Sequence, residues 1–308
     1  MSESTFNAED DCKALNDAIK SEKGESEIIK IMCNRTNDQR QEIKKLYISL
    51  YGEELEKVLK KKLSGNFEDC IVALLNTPAE YDAKEIHKAI AGLGTNEDTL
   101  TEIIATRPKW KIEEIKEEYQ KLYNVSLEKD VKGDTSGAYR QLLVALIQGG
   151  RSENPYPNEK QCKKICEELY QGGEAVKGTD TDLFIKYFAN RSPAELAMIS
   201  RIYHKKYNKS LLDVIEKEFS GDVKVLFSTL LTALVKPAEY FATRVNKAVK
   251  GWGTNDNLLI RILVTRDEID MPQIKKCYKK LYNKDMLQDV KDDTSGDYRE
   301  LLIELAGH

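Results

Sequence analysis

The chain has 308 residues, with 48 Lys+Arg against 52 Asp+Glu, a formal net charge of −4 and 41% hydrophobic residues. That balance excludes a generally basic nucleic-acid binder, and 17 Gly and 7 Pro spread along the chain exclude collagen-like and low-complexity classes. The apolar fraction is enough to bury a core, so a soluble globular protein is expected, one that an anionic membrane would mildly repel unless something bridges the two.

Residues 1–10 read as a short polar tail, with no basic start and no apolar run of a signal peptide. From there the chain repeats itself. Gly92-Leu93-Gly94-Thr95-Asn96 returns as Gly251-Trp252-Gly253-Thr254-Asn255, and Asp134-Thr135-Ser136-Gly137 returns as Asp293-Thr294-Ser295-Gly296, both 159 residues on. Each half divides again: Ser64-Gly65 is answered by Ser136-Gly137, Ser220-Gly221 by Ser295-Gly296, and Arg35, Arg107, Arg191 and Arg266 keep the same step. Four repeats are therefore expected, over 11–79, 80–152, 153–236 (with a polar connector containing Pro155 and Pro157) and 237–308.

The period inside a repeat is helical. In the second repeat Leu100, Ile103 and Ile104 mark one helix, Ile112, Ile115, Tyr119, Leu122 and Tyr123 a second, and Leu142, Leu143 and Leu146 a third. The fourth repeat echoes them with Leu259, Ile262 and Leu263, then Ile274, Tyr278, Leu281 and Tyr282, then Leu301, Leu302 and Leu305. Thr95, Thr254 and the Thr135-Ser136 pair read as N-caps. No run of strict alternation is long enough for a sheet, so the fold class is all-α with several short helices per repeat. The longest apolar stretch, 226–235, is about half a membrane span and carries Ser228, Thr229 and Thr232. The six cysteines and three histidines match no zinc spacing, so free thiols in a reducing compartment are expected. Nor do they form a nucleophile pattern, and a phosphate-cradling Gly-x-x-x-x-Gly-Lys is missing, so no enzyme activity is expected.

The loops carry the chemistry. Two glycines flanking one residue let the backbone turn with positive φ and leave carbonyl oxygens uncovered, so several can converge on a hard cation. The missing ligand is an acid: Asp134 follows Gly94 by 40 residues and Asp293 follows Gly253 by 40. A Gly-x-Gly-Thr loop paired with an acid about 40 residues later, within four repeats of about 70, resembles the annexin family over essentially the whole chain.

That resemblance implies about five short helices per repeat, a slightly curved disc, and Ca2+ bound between loop carbonyls and a distant carboxylate. Carried over by position, the ligands are Ile90, Gly92, Gly94 and Asp134 in the second repeat, and Val249, Gly251, Gly253 and Asp293 in the fourth. The third repeat has the variant loop 172–179 and implies Gly173, Val176 and Gly178 with Glu218. The first repeat departs: its loop, Lys20-Ser21-Glu22-Lys23-Gly24-Glu25, lacks the signature, and Lys62 stands where the acid should be, so no calcium is expected there in this mode.

An incomplete calcium shell can take a lipid phosphoryl oxygen, which implies reversible, peripheral binding to acidic phospholipid membranes by a cytoplasmic protein when calcium rises. Leu93, Lys177 and Trp252 stand at the loop tips as membrane contacts, Trp252 because its ring is amphipathic. Self-association on membranes is compatible with such a protein, and nucleic acid is not an expected partner. Asp82, Glu85, Arg107 and Arg266 match an interior hydrophilic passage of the family and read as a structural ion-pair network in preference to an ion path. A calcium-gated channel and a protein-binding helical scaffold are the alternative functions.

Overall fold

The computed structural model describes residues 6–92, 94–251 and 253–307, and every regular element among them is helical. The first repeat folds as α1 (Ala8–Lys20), α2 (Glu25–Cys33), α3 (Asn37–Tyr51), α4 (Leu55–Lys62) and α5 (Gly65–Leu75). The second is α6 (Pro78–Ile90), α7 (Glu97–Thr106), α8 (Lys109–Tyr123), α9 (Leu127–Asp134) and α10 (Gly137–Ile147). The third is α11 (Glu159–Gly172), α12 (Thr181–Asn190), α13 (Pro193–Tyr207), α14 (Leu211–Glu218) and α15 (Gly221–Val235). The fourth comprises α16 (Pro237–Val249), α17 (Asp256–Tyr282), α18 (Met286–Asp293) and α19 (Gly296–Gly307). Here α17 is two helices run together across a break at Asp270 (φ −150°, ψ 26°), just before Pro272.

Local chemistry sets the boundaries. Thr36 with Gln39 and Ser192 with Glu195 close reciprocal capping boxes that start α3 and α13. The same two helices, with α8 and α17, stop on a left-handed residue: Gly52, Asn124, Asn208 and Asn283, all with φ between 53° and 71°. Thr95 and Thr254 are not the caps that their position suggests. Asn96 and Asn255 cap α7 and α17, accepting from Thr99 N–H and Leu258 N–H. Nor does Ser136 cap α10 through its side chain; the Thr135 hydroxyl beside it donates back to the Val131 carbonyl.

The chain divides into two compact units, one reaching to Tyr81 and resuming at Phe241, the other running from Asp82 to Tyr240. In the first, α1 packs on α2 and α3, and α17 on α5 and α19, over fully buried Leu15, Ile28, Leu59, Ile71, Leu263 and Leu302. In the second, α7 packs on α15 and α11 on α13, around Leu100, Ile103, Ile115 and an aromatic cluster of Phe184, Phe188, Phe219 and Phe227. Burial of such side chains contributes about 1.5–3 kcal/mol each. Ile112, Ile115 and Tyr119 are buried as their spacing requires, but Leu122 and Leu281 are 38% and 42% exposed, at the rims of their helix faces. Cys12, Cys33, Cys70, Cys162 and Cys166 are free and buried, and Cys277 is free and half-buried. Among the described residues no helix is long and apolar enough to cross a membrane.

Candidate metal-binding loops

Helices α4, α9, α14 and α18 each have eight residues, and their last residues are Lys62, Asp134, Glu218 and Asp293. Identical helix length is what delivers these four side chains to equivalent places. In the second repeat the loop leaving α6 is closed by a bond from Asn96 N–H to the Ala89 carbonyl (2.7 Å), and Gly94 turns with φ 89°. That conformation is open to glycine and strained for a side chain. The Thr95 hydroxyl then reaches the carboxylate Oδ2 of Asp134 at 2.6 Å, tying the loop to the end of α9.

The fourth repeat copies this bond for bond. Asn255 N–H meets the Ala248 carbonyl at 2.8 Å, Gly253 has φ 84°, and the Thr254 hydroxyl reaches Asp293 Oδ2 at 2.6 Å. In the third, Asp180 N–H closes on the Gly172 carbonyl at 2.7 Å, and the Thr179 hydroxyl reaches Glu218 Oε2 at 2.8 Å. The threonine that looks like a helix cap in the sequence is thus the residue that holds the acid. Its only sequence signal is the separation of 39 residues from that acid.

Among the described residues no hydrogen bond occupies the carbonyls of Ile90, Gly92 and Gly94, or those of Val249, Gly251 and Gly253. The Gly173 carbonyl of the third repeat accepts from Val176 N–H at 3.3 Å, while Val176 and Gly178 present theirs. Each set is oxygen only, which fits a hard cation such as calcium. Among the described residues no three His, Cys, Asp or Glu side chains gather on one point. Lys177 is exposed; Leu93 and Trp252 lie outside the described residues.

The third loop carries a latch that its sequence did not announce. Glu174 accepts from the Tyr203 hydroxyl at 2.9 Å and pairs with Lys209. Glu218 is also contacted by Lys217, whose Nζ lies 3.1 Å from Oε1. The Thr179 hydrogen bond, then that ammonium, hold the Glu218 carboxyl below the usual glutamate range. In the first repeat the Lys62 ammonium donates to the Ser21 carbonyl at 2.5 Å and sits 3.4 Å from Glu25 Oε1. A side-chain cation thus joins the first loop to the end of α4.

Of the polar set, Asp82 and Arg107 form a buried two-pronged pair, at 2.6 and 2.7 Å, within the second unit, where Glu85 lies 4.0 Å from Lys88. Arg35 pairs with Asp11 in the same way in the first repeat. The equivalent acid in the fourth repeat is replaced by Phe241; Arg266 lies over that ring at 4.4 Å and pairs with Asp270 of its own helix.

The annexin family model matches residues 10–74, 81–146, 166–230 and 240–305. Human (Homo sapiens) annexin A13 is 43% identical over 301 residues, covering 97% of this chain and 95% of that protein. The structure of annexin III superposes with a TM-score of 0.96 at 37% identity, over 99% of this chain and 95% of its own. That of calcium-bound annexin (Sm)1 does so with a TM-score of 0.89 at 33% identity, over 98% and 91%.

Proposed function

The chain belongs to the annexin family, a family of calcium-dependent phospholipid binders, and from that premise we propose that three of its four repeats hold calcium and bridge it to acidic phospholipid. The ligands are the carbonyls of Ile90, Gly92 and Gly94 with Asp134, of Gly173, Val176 and Gly178 with Glu218, and of Val249, Gly251 and Gly253 with Asp293. The observation that carries the reading is the threonine-held carboxylate of each loop, with loop carbonyls in the second and fourth repeats that no hydrogen bond occupies among the described residues. The calcium-bound state of annexin (Sm)1, a relative of the same fold, supports it.

Calcium takes six to eight oxygens at about 2.3–2.6 Å, so three carbonyls and a bidentate carboxylate leave room for water or a lipid phosphoryl oxygen. The loop residues align the carbonyls, the threonine fixes the carboxylate, and the ion supplies the charge that phosphate needs. Each filled site gains two charges against one carboxylate, and this offsets the repulsion between a chain of net charge −4 and an anionic leaflet at about −30 mV. Leu93 and Trp252 supply apolar contact at the interface, and Lys177 an ammonium for phosphate. The protein is then peripheral, and cytoplasmic until calcium rises. The Asp82–Arg107 pair serves the fold, since a buried ion pair of this geometry orients helices.

Co-sedimentation with phosphatidylserine vesicles tests this reading. Pelleting in calcium and release by chelator are expected; equal pelleting in both would refute it.

A further inference from the structure

We infer that the residue just before each acid ranks the sites: the second and fourth repeats load ahead of the third, and the first never loads. This rests on the calcium reading above and adds to it a graded response from one chain. The residues at that position are Asp292, Gly133, Lys217 and, in the first repeat, Lys61 followed by Lys62 in the acid's own place.

The geometry gives each charge a consequence. Among the described residues the second carboxylate oxygen, Oδ1, of Asp134 and of Asp293 has no hydrogen-bond partner. Both oxygens of Glu218 are engaged, Oε2 by the Thr179 hydroxyl and Oε1 by the Lys217 ammonium. A bidentate carboxylate on calcium competes with that ammonium for Oε1, and an ion arriving at the third site meets a charge of its own sign. The Gly173 carbonyl would also have to share its oxygen with Val176 N–H.

At the fourth site the neighbour is an acid. Asp292 lines, with Asp289, Asp293 and Val249, a cavity of about 430 Å³, and its carboxylate accepts from Gln288 Nε2 at 2.7 Å. Lys250 and Lys284 line the same cavity, and Lys284 lies 3.4 Å from Asp289. Asp292 adds one negative charge beside the site, and Lys250 and Lys284 offset it and Asp289, so the fourth site is not more negative than the second. Gly133 adds none. Lys62 completes the series, because its ammonium already sits on the Ser21 carbonyl.

Lys217 is 67% exposed, so its pair with Glu218 is partly screened and its competition is modest. Removing it is expected to tighten the third site about threefold to fivefold, and Asp292→Asn to weaken the fourth about threefold.

The test is calorimetric titration of calcium chloride into the full chain with two acids removed at a time. Asp134→Asn with Glu218→Gln leaves the fourth site, Glu218→Gln with Asp293→Asn the second, and Asp134→Asn with Asp293→Asn the third. The third site is expected to be the weakest of the three. Lys217→Gln in the third-site protein should raise its affinity and flatten its dependence on ionic strength, while Lys217→Arg keeps both. A third site as tight as the second, or one indifferent to Lys217→Gln, overturns the loading order alone. Absence of calcium heat from all three single-site proteins, each with its helical circular dichroism intact, overturns the site assignment beneath it.

Discussion

An aspartate on the last residue of a helix sits at the negative end of the helix dipole, where a carboxylate costs about 0.3–1 kcal/mol and an ammonium gains as much. Asp134 and Asp293 accept that cost, and their threonines offset part of it. Lys62, at the same place in α4, gains from both the dipole and the Ser21 carbonyl. Asp134→Asn should therefore leave the calcium-free protein as stable as before or more stable by about 0.3–1 kcal/mol, while reducing the rise in melting temperature that calcium produces. Thermal unfolding with and without calcium measures both; a calcium-free loss above about 1 kcal/mol would show that the carboxylate serves the fold instead. The acids were legible in the sequence because their spacing from the loop repeats. The threonine's role was not, since a hydroxyl before a helix looks the same whether it caps that helix or holds an acid 39 residues away.

Helices α3, α8 and α13 each have 15 residues, and their stops recur. Gly52, Asn124, Asn208 and Asn283 end equivalent helices with φ between 53° and 71°, and their backbone N–H groups close on carbonyls four residues back. Asparagine tolerates this conformation through its short polar side chain; alanine does not, and the left-handed state costs it about 1–2 kcal/mol. Asn208→Ala should lower stability by about 1 kcal/mol and Asn208→Gly should not, as read from denaturant midpoints; equal losses in both would assign the effect to the amide side chain. Periodicity showed the helices, yet it assigned Leu122 and Leu281 to the buried face. Both lie in the last turn of their helices and stay partly exposed, and a pattern of spacing carries no information about where a neighbour ends. The break at Asp270 had a signal in Pro272, which cannot donate to the preceding turn.

At the scale of the molecule, the unit from Asp82 to Tyr240 holds the second and third loop–acid pairs, and the other holds the fourth together with Lys62. The fourfold repeat, the all-helical class and the family were legible because a duplicated sequence keeps its spacing even where residues diverge. The substitutions inside that frame were not: Phe241 in place of an acid sends Arg266 to Asp270, and only the packed structure gives the new partner. Three carboxylates at three helix ends are proposed to carry calcium-dependent attachment to a membrane. The direct measurement is co-sedimentation with phosphatidylserine vesicles at one calcium concentration, comparing the native chain with the Asp134→Asn/Glu218→Gln/Asp293→Asn variant after circular dichroism has shown both folded. The native chain should pellet and the triple variant should stay in the supernatant, as the native chain does in chelator; a folded triple variant that pellets with calcium as the native chain does would contradict the claim.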